Sequence, residues 1–274
     1  MTVAGGVRLD YDGPVATVTL DRPDVLNAQT PQMWHALRDI GRTLRGHVRV
    51  VVVRGAGRAF SAGLDRRFVQ SLLDPASDPV PPPNAEPGTG SDGEPPPPRL
   101  VDLPPDECAA LIAQFQEAFT WLARPDLISV AAVHGPAVGA GFQLALACDV
   151  RVLADDARLR MAEVTLGLVP DLGGTRRLVE LVGYSRALEI CTTGRWIDAA
   201  ESERIGLANL VVPAAELGPA VTDLAAAVLA GPRDAVIEIK ALLAGAIDRS
   251  PAAQLRAERE AQTRRIRDLA GLGE

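Results

Sequence analysis

The sequence predicts an α/β fold in which short buried strands alternate with helices and a purely helical region closes the chain. Three observations carry this. Val50-Val51-Val52-Val53 and Ile128-Ser129-Val130-Ala131-Ala132-Val133 are short β-branched runs without polar alternation, the pattern of strands buried on both faces. Each run ends in glycine punctuation that leads into a helix. After Pro213 the chain becomes alanine-rich and helical.

Taken in order, Val7 to Asp12 and Val15 to Leu20 read as a hairpin around Gly13-Pro14, and Thr30 or Pro31 opens a helix running to about Arg45. The β-and-α alternation starts there, with a strand at Val50 to Val53 and a short helix from Asp65 to about Leu73. It stops between Asp74 and Pro105, where 12 of the chain's 22 prolines fall among glycine, serine and acidic residues. Such a segment buries too little apolar surface to offset its ordering entropy, so it reads as a mobile or polyproline-like insertion, longer than the loops of a compact domain. Helical periodicity returns from about Asp106 to Leu122 around Leu111, Phe115, Phe119 and Leu122. Cys148-Asp149 reads as the buried start of a strand. Three helices follow Pro213, at roughly Leu217 to Leu229, Pro232 to Ile247 and Pro251 to Leu269.

With 47% hydrophobic residues in 274, the chain has ample material for one large core. We divide it into a core over residues 1–200, with 74–105 as its insertion, and a helical region over 201–274. A net charge of -7 lacks the clustered basic field that nucleic acid or a membrane surface requires, so neither is expected as a partner. No stretch reaches the roughly 20 apolar residues of a membrane span, and no secretory signal stands at the N-terminus, so a cytoplasmic location is expected. Cys108, Cys148 and Cys191 are too few and scattered for a disulfide framework or a zinc site. His35, His47 and His134 lack metal-ligand spacing, so no metal is expected.

Chemistry concentrates in two glycine-bracketed turns, Gly57-Arg58-Ala59-Phe60-Ser61-Ala62-Gly63-Leu64-Asp65 and His134-Gly135-Pro136-Ala137-Val138-Gly139-Ala140-Gly141-Phe142-Gln143. The first N–H groups of a helix have no internal partner and lie at the positive end of its dipole. Two such turns can therefore aim backbone donors at one developing negative charge. Alone, Asp171 ahead of Leu172-Gly173-Gly174-Thr175-Arg176 reads equally well as a helix cap or as an acid. Asn27 reads as a turn-stabilising side chain.

At these residues the chain resembles the crotonase superfamily, the enoyl-CoA hydratase/isomerase family. The likeness extends through Leu20-Asp21-Arg22-Pro23-Asp24-Val25-Leu26-Asn27-Ala28, Cys148-Asp149, Pro170-Asp171-Leu172-Gly173-Gly174-Thr175, Thr193-Gly194-Arg195-Trp196-Ile197-Asp198-Ala199 and Gly206-Leu207-Ala208-Asn209-Leu210-Val211-Val212-Pro213. It implies a crotonase-like spiral of repeated ββα units, a C-terminal helical trimerisation region, and a homotrimer or homohexamer. It also implies an acyl-CoA thioester substrate, with no cofactor beyond the coenzyme A carried by that substrate.

By the same resemblance, the N–H groups of Leu64 and Ala140 are the oxyanion donors, Glu163 is the acid-base group and Asp171 a second one. Gln143 occupies the position where family hydratases carry a glutamate; an amide can orient water but cannot exchange its proton near neutral pH. Ala62, Gly63, Leu64 and Asp65, with Arg22, Arg66, Arg67 and Lys240, are the candidates for the coenzyme A portion. The reading favours double-bond isomerisation of an enoyl-CoA (Δ3,Δ2, dienoyl or ring type). Enoyl-CoA hydration is the nearest alternative, and a non-catalytic acyl-CoA binding protein is the rival from another class.

Overall fold

A computed structural model describes residues 2–73 and 100–272. The greater part of the proline-rich insertion, residues 74–99, lies outside the described residues, and with it the reading of that segment as a mobile or polyproline-like loop.

In chain order the elements are β1 (Thr2–Ala4), β2 (Val7–Asp12), β3 (Val15–Leu20), α1 (Pro31–Thr43), β4 (Val50–Gly55), α2 (Arg66–Leu73), α3 (Pro105–Thr120), β5 (Ile128–Val133), β6 (Pro136–Val138) and α4 (Ala140–Ala147). They continue with β7 (Val150–Ala154), β8 (Arg158–Arg160), α5 (Gly174–Val182), α6 (Tyr184–Thr193), β9 (Trp196–Asp198), α7 (Ala199–Arg204), β10 (Leu210–Val212), α8 (Leu217–Ala230), α9 (Arg233–Gly245) and α10 (Pro251–Leu269).

Among the described residues the main sheet runs in the order β1-β2-β3-β4-β5-β7-β10, and a smaller sheet runs β6-β8-β9. The hairpin β2–β3 is antiparallel, with Val7 opposite Leu20 and Asp12 opposite Val15. From β3 onward the main sheet is parallel. The apolar runs without alternation follow from the packing. Val51, Val53, Ala131, Val133 and Leu153 face the principal core, while their neighbours Val50, Val52, Val130, Ala132 and Val152 face Leu217, Val221 and Ala225 of α8. A strand covered on both faces favours apolar residues throughout, and the polar exceptions, Ser129 on β5 and Arg151 on β7, are buried with hydrogen bonds to Leu122 O and Leu207 O. The C-terminal region is thus joined to the core through α8.

Each of the parallel strands β4, β5 and β7 is followed by a short segment that leaves the main sheet. After β5 this is β6, after β7 it is β8, paired in parallel with β6. After β4 it is a single bridge from Ser61 to Ala137. Repetition of this strand, short strand and helix makes the spiral.

Helix ends differ from the sequence expectation by small amounts. α1 is capped by Thr30, whose hydroxyl accepts the Met33 N–H at 3.3 Å, and it stops at Thr43, two residues short of Arg45, because Leu44 is already extended. The helix expected over 106–122 is α3 plus a tighter turn at Trp121–Ala123. On α9 and α10, Ile239, Leu243, Leu255, Ile266 and Leu269 are exposed.

Candidate active site

The two glycine turns meet. Ser61 N donates to Pro136 O at 3.0 Å and Val138 N donates to Ser61 O at 2.9 Å, so the segment ahead of Leu64 is zipped to the segment ahead of Ala140. Gly63 sits at φ +85°, where a β-carbon would lie 2.6 Å from Val138 O; only glycine permits this approach. Asn27 stabilises the same turn from behind. Its amide donates to Ala56 O and Ala59 O, each at 2.8 Å, and its oxygen accepts from Arg22 N at 2.9 Å.

This packing decides which N–H groups stay available. Gly63 O accepts from Gln29 N at 2.6 Å and Asp65 N donates to Gln29 O at 2.8 Å. A parallel bridge of this kind turns the N–H and C=O of the intervening residue, Leu64, to the opposite side. Ala62 N donates to Leu26 O at 2.8 Å and Gly63 N to Ser61 Oγ at 3.2 Å. Of the four turn residues, Leu64 alone has an N–H without a protein acceptor among the described residues. Ala140 opens α4 after Gly139, so its N–H has no partner within the helix. Both residues line one cavity of about 360 Å³.

The same cavity is lined by Gln143, Glu163 and Asp171. Glu163 is 6% exposed. Its Oε1 accepts from Gln143 Nε2 at 2.7 Å, and Oε2 is buried with no hydrogen-bond partner among the described residues. Gly139 makes room for this carboxylate: at φ +49°, a β-carbon there would stand 3.3 Å from Oε1. Burial pushes the Glu163 carboxyl above the usual range; backbone and Gln143 hydrogen bonds oppose the shift and the Asp171 charge adds to it. Burial also raises Asp171.

Asp171 is not a helix cap. α5 begins at Gly174 behind Gly173, with no side-chain cap. Two glutamines grip the loop that carries Asp171. Gln143 Oε1 accepts from Leu172 N at 2.9 Å and Gly174 N at 3.3 Å, and Gln116 Nε2 donates to Asp171 O at 2.6 Å. Gln143 therefore touches both acids' supports at once.

The rest of the cavity wall is apolar, with the aromatic rings of Trp34, Phe68 and Phe115 beside aliphatic residues such as Ile112, Leu168 and Leu172. Leu100 and Val101, just after the undescribed segment, also line it. Sequence reading missed Gln116 and the aromatic wall. The usable signal was α3 itself, where Ile112, Phe115 and Gln116 lie within one turn or so of each other.

The proposed coenzyme A contacts need revision. Lys240 is 9% exposed and donates to Asp149 Oδ2 at 2.7 Å and to Leu127 O at 2.8 Å. That buried pair ties α9 to the sheet, so the reading of Lys240 as a nucleotide contact is corrected. Arg22 pairs with Asp65 at 3.0 Å and also donates to Ala28 O, so both residues are engaged in holding the first turn. Asp65 further accepts the Arg67 N–H at 3.0 Å. The side chains of Arg66 and Arg67 are on exposed positions at the start of α2. Cys148 caps the end of α4 and Asp149 precedes β7, so the strand expected to start at Cys148-Asp149 begins two residues later, at Val150.

A family profile for enoyl-CoA hydratase/isomerase matches residues 10–75 and 104–269, leaving out most of the proline-rich insertion. A protein of Thermobifida fusca YX, provisionally named an enoyl-CoA hydratase and solved with CoA, shares 46% identity over 97% of this chain and 95% of its own, with a TM-score of 0.85. Solved with acetoacetyl-CoA, a chain from the same source gives 46% identity, 96% coverage of each chain and a TM-score of 0.86. A protein of Mycobacterium tuberculosis (strain CDC 1551 / Oshkosh), provisionally named an enoyl-CoA hydratase, is 30% identical over 77% of this chain and 70% of its own length.

Proposed function

The chain belongs to the enoyl-CoA hydratase/isomerase family, and from that premise we propose that it binds an acyl-CoA thioester and moves a carbon–carbon double bond along the acyl chain by proton transfer. In this reading the thioester oxygen lies between the Leu64 and Ala140 N–H groups. Glu163 removes a C2 proton from a 3-enoyl group, the electron pair of that C–H bond forms a C1–C2 double bond as the carbonyl π pair moves onto the thioester oxygen, and the dienolate charge resides there. Asp171 delivers a proton to C4, which the C3–C4 π pair takes; the C1–C2 pair becomes the C2–C3 double bond and the thioester carbonyl reforms. One C–H bond breaks and one forms, with no net change in composition. Donors placed where the charge develops stabilise it far more than water would, because they need no reorientation during the reaction.

The observation that carries isomerisation over hydration is the direct Gln143–Glu163 hydrogen bond of 2.7 Å. Water addition needs a positioned water and a group to deprotonate it; here the neighbour of Glu163 is an amide bonded to its Oε1, which takes no proton. Hydration is the second reading, favoured by the names of the relatives. Incubation with 2-enoyl, 3-enoyl and dienoyl-CoAs in D2O, followed by mass spectrometry, tests the choice. Deuterium uptake with double-bond migration supports isomerisation. Rapid 3-hydroxyacyl-CoA formation from crotonyl-CoA with no migration overturns it.

A further inference from the structure

Gln29 is fully buried, and its polar groups go to two places. Its backbone clasps the peptides on either side of Leu64, as described above. Its side chain joins the acyl wall to the same turn: Oε1 accepts from Trp34 Nε1 at 2.8 Å and Nε2 donates to Ser61 Oγ at 3.2 Å. Ser61 Oγ in turn accepts from Gly63 N at 3.2 Å and donates to Asn27 O at 2.8 Å. Trp34 packs on Phe68 and Phe115, with ring centroids 5.9 and 4.8 Å away, and all three rings line the cavity.

We propose that Gln29 is a positioning residue that couples the acyl-group wall at Trp34 to the oxyanion donor Leu64. The inference rests on the reading of Leu64 N–H as an oxyanion donor. An acyl group that seats against Trp34 holds the indole in place, and the chain Trp34–Gln29–Ser61–Gly63 transmits that placement to the Leu64 peptide. Glutamine suits the position because it offers one acceptor and one donor from a single rigid plane. An apolar residue of similar size would fill the space but leave the indole N–H without its acceptor and take from the Ser61 hydroxyl one of its three hydrogen bonds. Acyl groups that displace Trp34 are therefore discriminated in the chemical step more than in binding.

The test measures dissociation constants of CoA and of acetoacetyl-CoA, whose readily formed enolate needs the oxyanion donors, for wild type, Gln29→Met, Gln29→Glu and Trp34→Phe. Wild type should prefer acetoacetyl-CoA. Gln29→Met should lower that preference about tenfold while leaving CoA affinity alone, since the loss of one hydrogen bond in the chain is worth about that much. Gln29→Glu should rescue most of it, because a buried carboxyl stays protonated and offers the same acceptor and donor. Gln29→Met combined with Trp34→Phe should do no further harm, because both cut one chain. A folded Gln29→Met with the wild-type preference overturns the coupling alone. Should that variant not fold, Trp34→Phe cuts the tie from its far end, and an unchanged preference there overturns it equally. Absence of any preference in wild type overturns the oxyanion reading, and the coupling with it.

Discussion

Replacing Glu163 by glutamine is the sharpest test of the proposed chemistry because the structure fixes what the substitution leaves intact. Gln143 donates to Oε1 of Glu163; a glutamine there accepts the same bond with its oxygen and puts its NH2 where Oε2 stands. Shape and the Gln143 contact survive, and the base is lost. Loss of a positioned acid-base group typically costs ~10²- to 10⁴-fold in turnover, or about 2.7 to 5.4 kcal/mol of barrier. The fold should gain. Glu163 has its pKa raised by burial, so its folded form binds a proton more tightly than its unfolded form. Wild-type stability then falls as pH rises from the unfolded-state pKa through the higher folded-state value, and the full penalty is present above it. Glu163→Gln has no such titration, so its Tm advantage should be absent in acid and grow toward neutral pH. The assay is 3-enoyl-CoA turnover with Tm measured across pH on the same preparations, together with acyl-CoA affinity. Unchanged turnover would remove Glu163 from the mechanism; a Tm deficit growing with pH would show that the carboxylate is better accommodated than its burial implies.

Four other outcomes are expected. Asp171→Asn should keep exchange of the C2 proton into D2O while losing net migration, because removal and return of the C2 proton require only Glu163; mass spectrometry reads both, and loss of exchange would merge the two roles. Gln143→Glu places a second carboxyl against Glu163 and should raise hydration of crotonyl-CoA relative to isomerisation, a ratio that would stay fixed if the amide were irrelevant. Lys240→Met strands Asp149 without its buried cation and should cost about 3 kcal/mol of stability with CoA affinity unchanged; a fall in CoA affinity would return Lys240 to the ligand. The exposed apolar residues of α9 and α10, including Leu243 and Leu269, lead us to expect trimers or hexamers in sedimentation, against which a monomer of about 28.9 kDa would count.

Legibility in the sequence tracked the range of the cause. Val50 to Val53 announced a doubly covered strand because both faces of β4 are buried, a property written into every residue of the run. The two glycine turns were legible because Gly63 and Gly139 occupy backbone conformations that favour glycine. Lys240 was misread because its partner Asp149 is 91 residues away, and a lone lysine on a helix pattern carries no mark of burial. Asp171 left capping and acid roles open for a similar reason: whether a carboxylate before a helix caps it depends on where the helix starts, and Gly173 delays α5 beyond its reach. Gln29 and Trp34 gave no local sign, since one polar side chain beside an apolar helix start looks like solvent-facing polarity until Ser61 is folded onto it.

The arrangement also explains why two raised carboxyls need not compete for one role. Burial disfavours both anions, yet only Glu163 has a side-chain donor at its carboxylate. The amide of Gln143 supports the charged form of Glu163, while Asp171 is offered support only by its own backbone. Glu163 is thus the carboxyl whose anion has a side-chain donor held against it, which suits it to the proposed base, with Asp171 in the proposed second role. Gln143 gives that support by donating, which requires a neutral amide. A carboxylate at the same place would repel the Glu163 anion at contact distance, or share its proton, and so would trade the separation of acid from base for a coupled pair. The residue that departs from the hydratase pattern is therefore the one that supports the Glu163 anion and, through Leu172 and Gly174, holds the loop that carries Asp171.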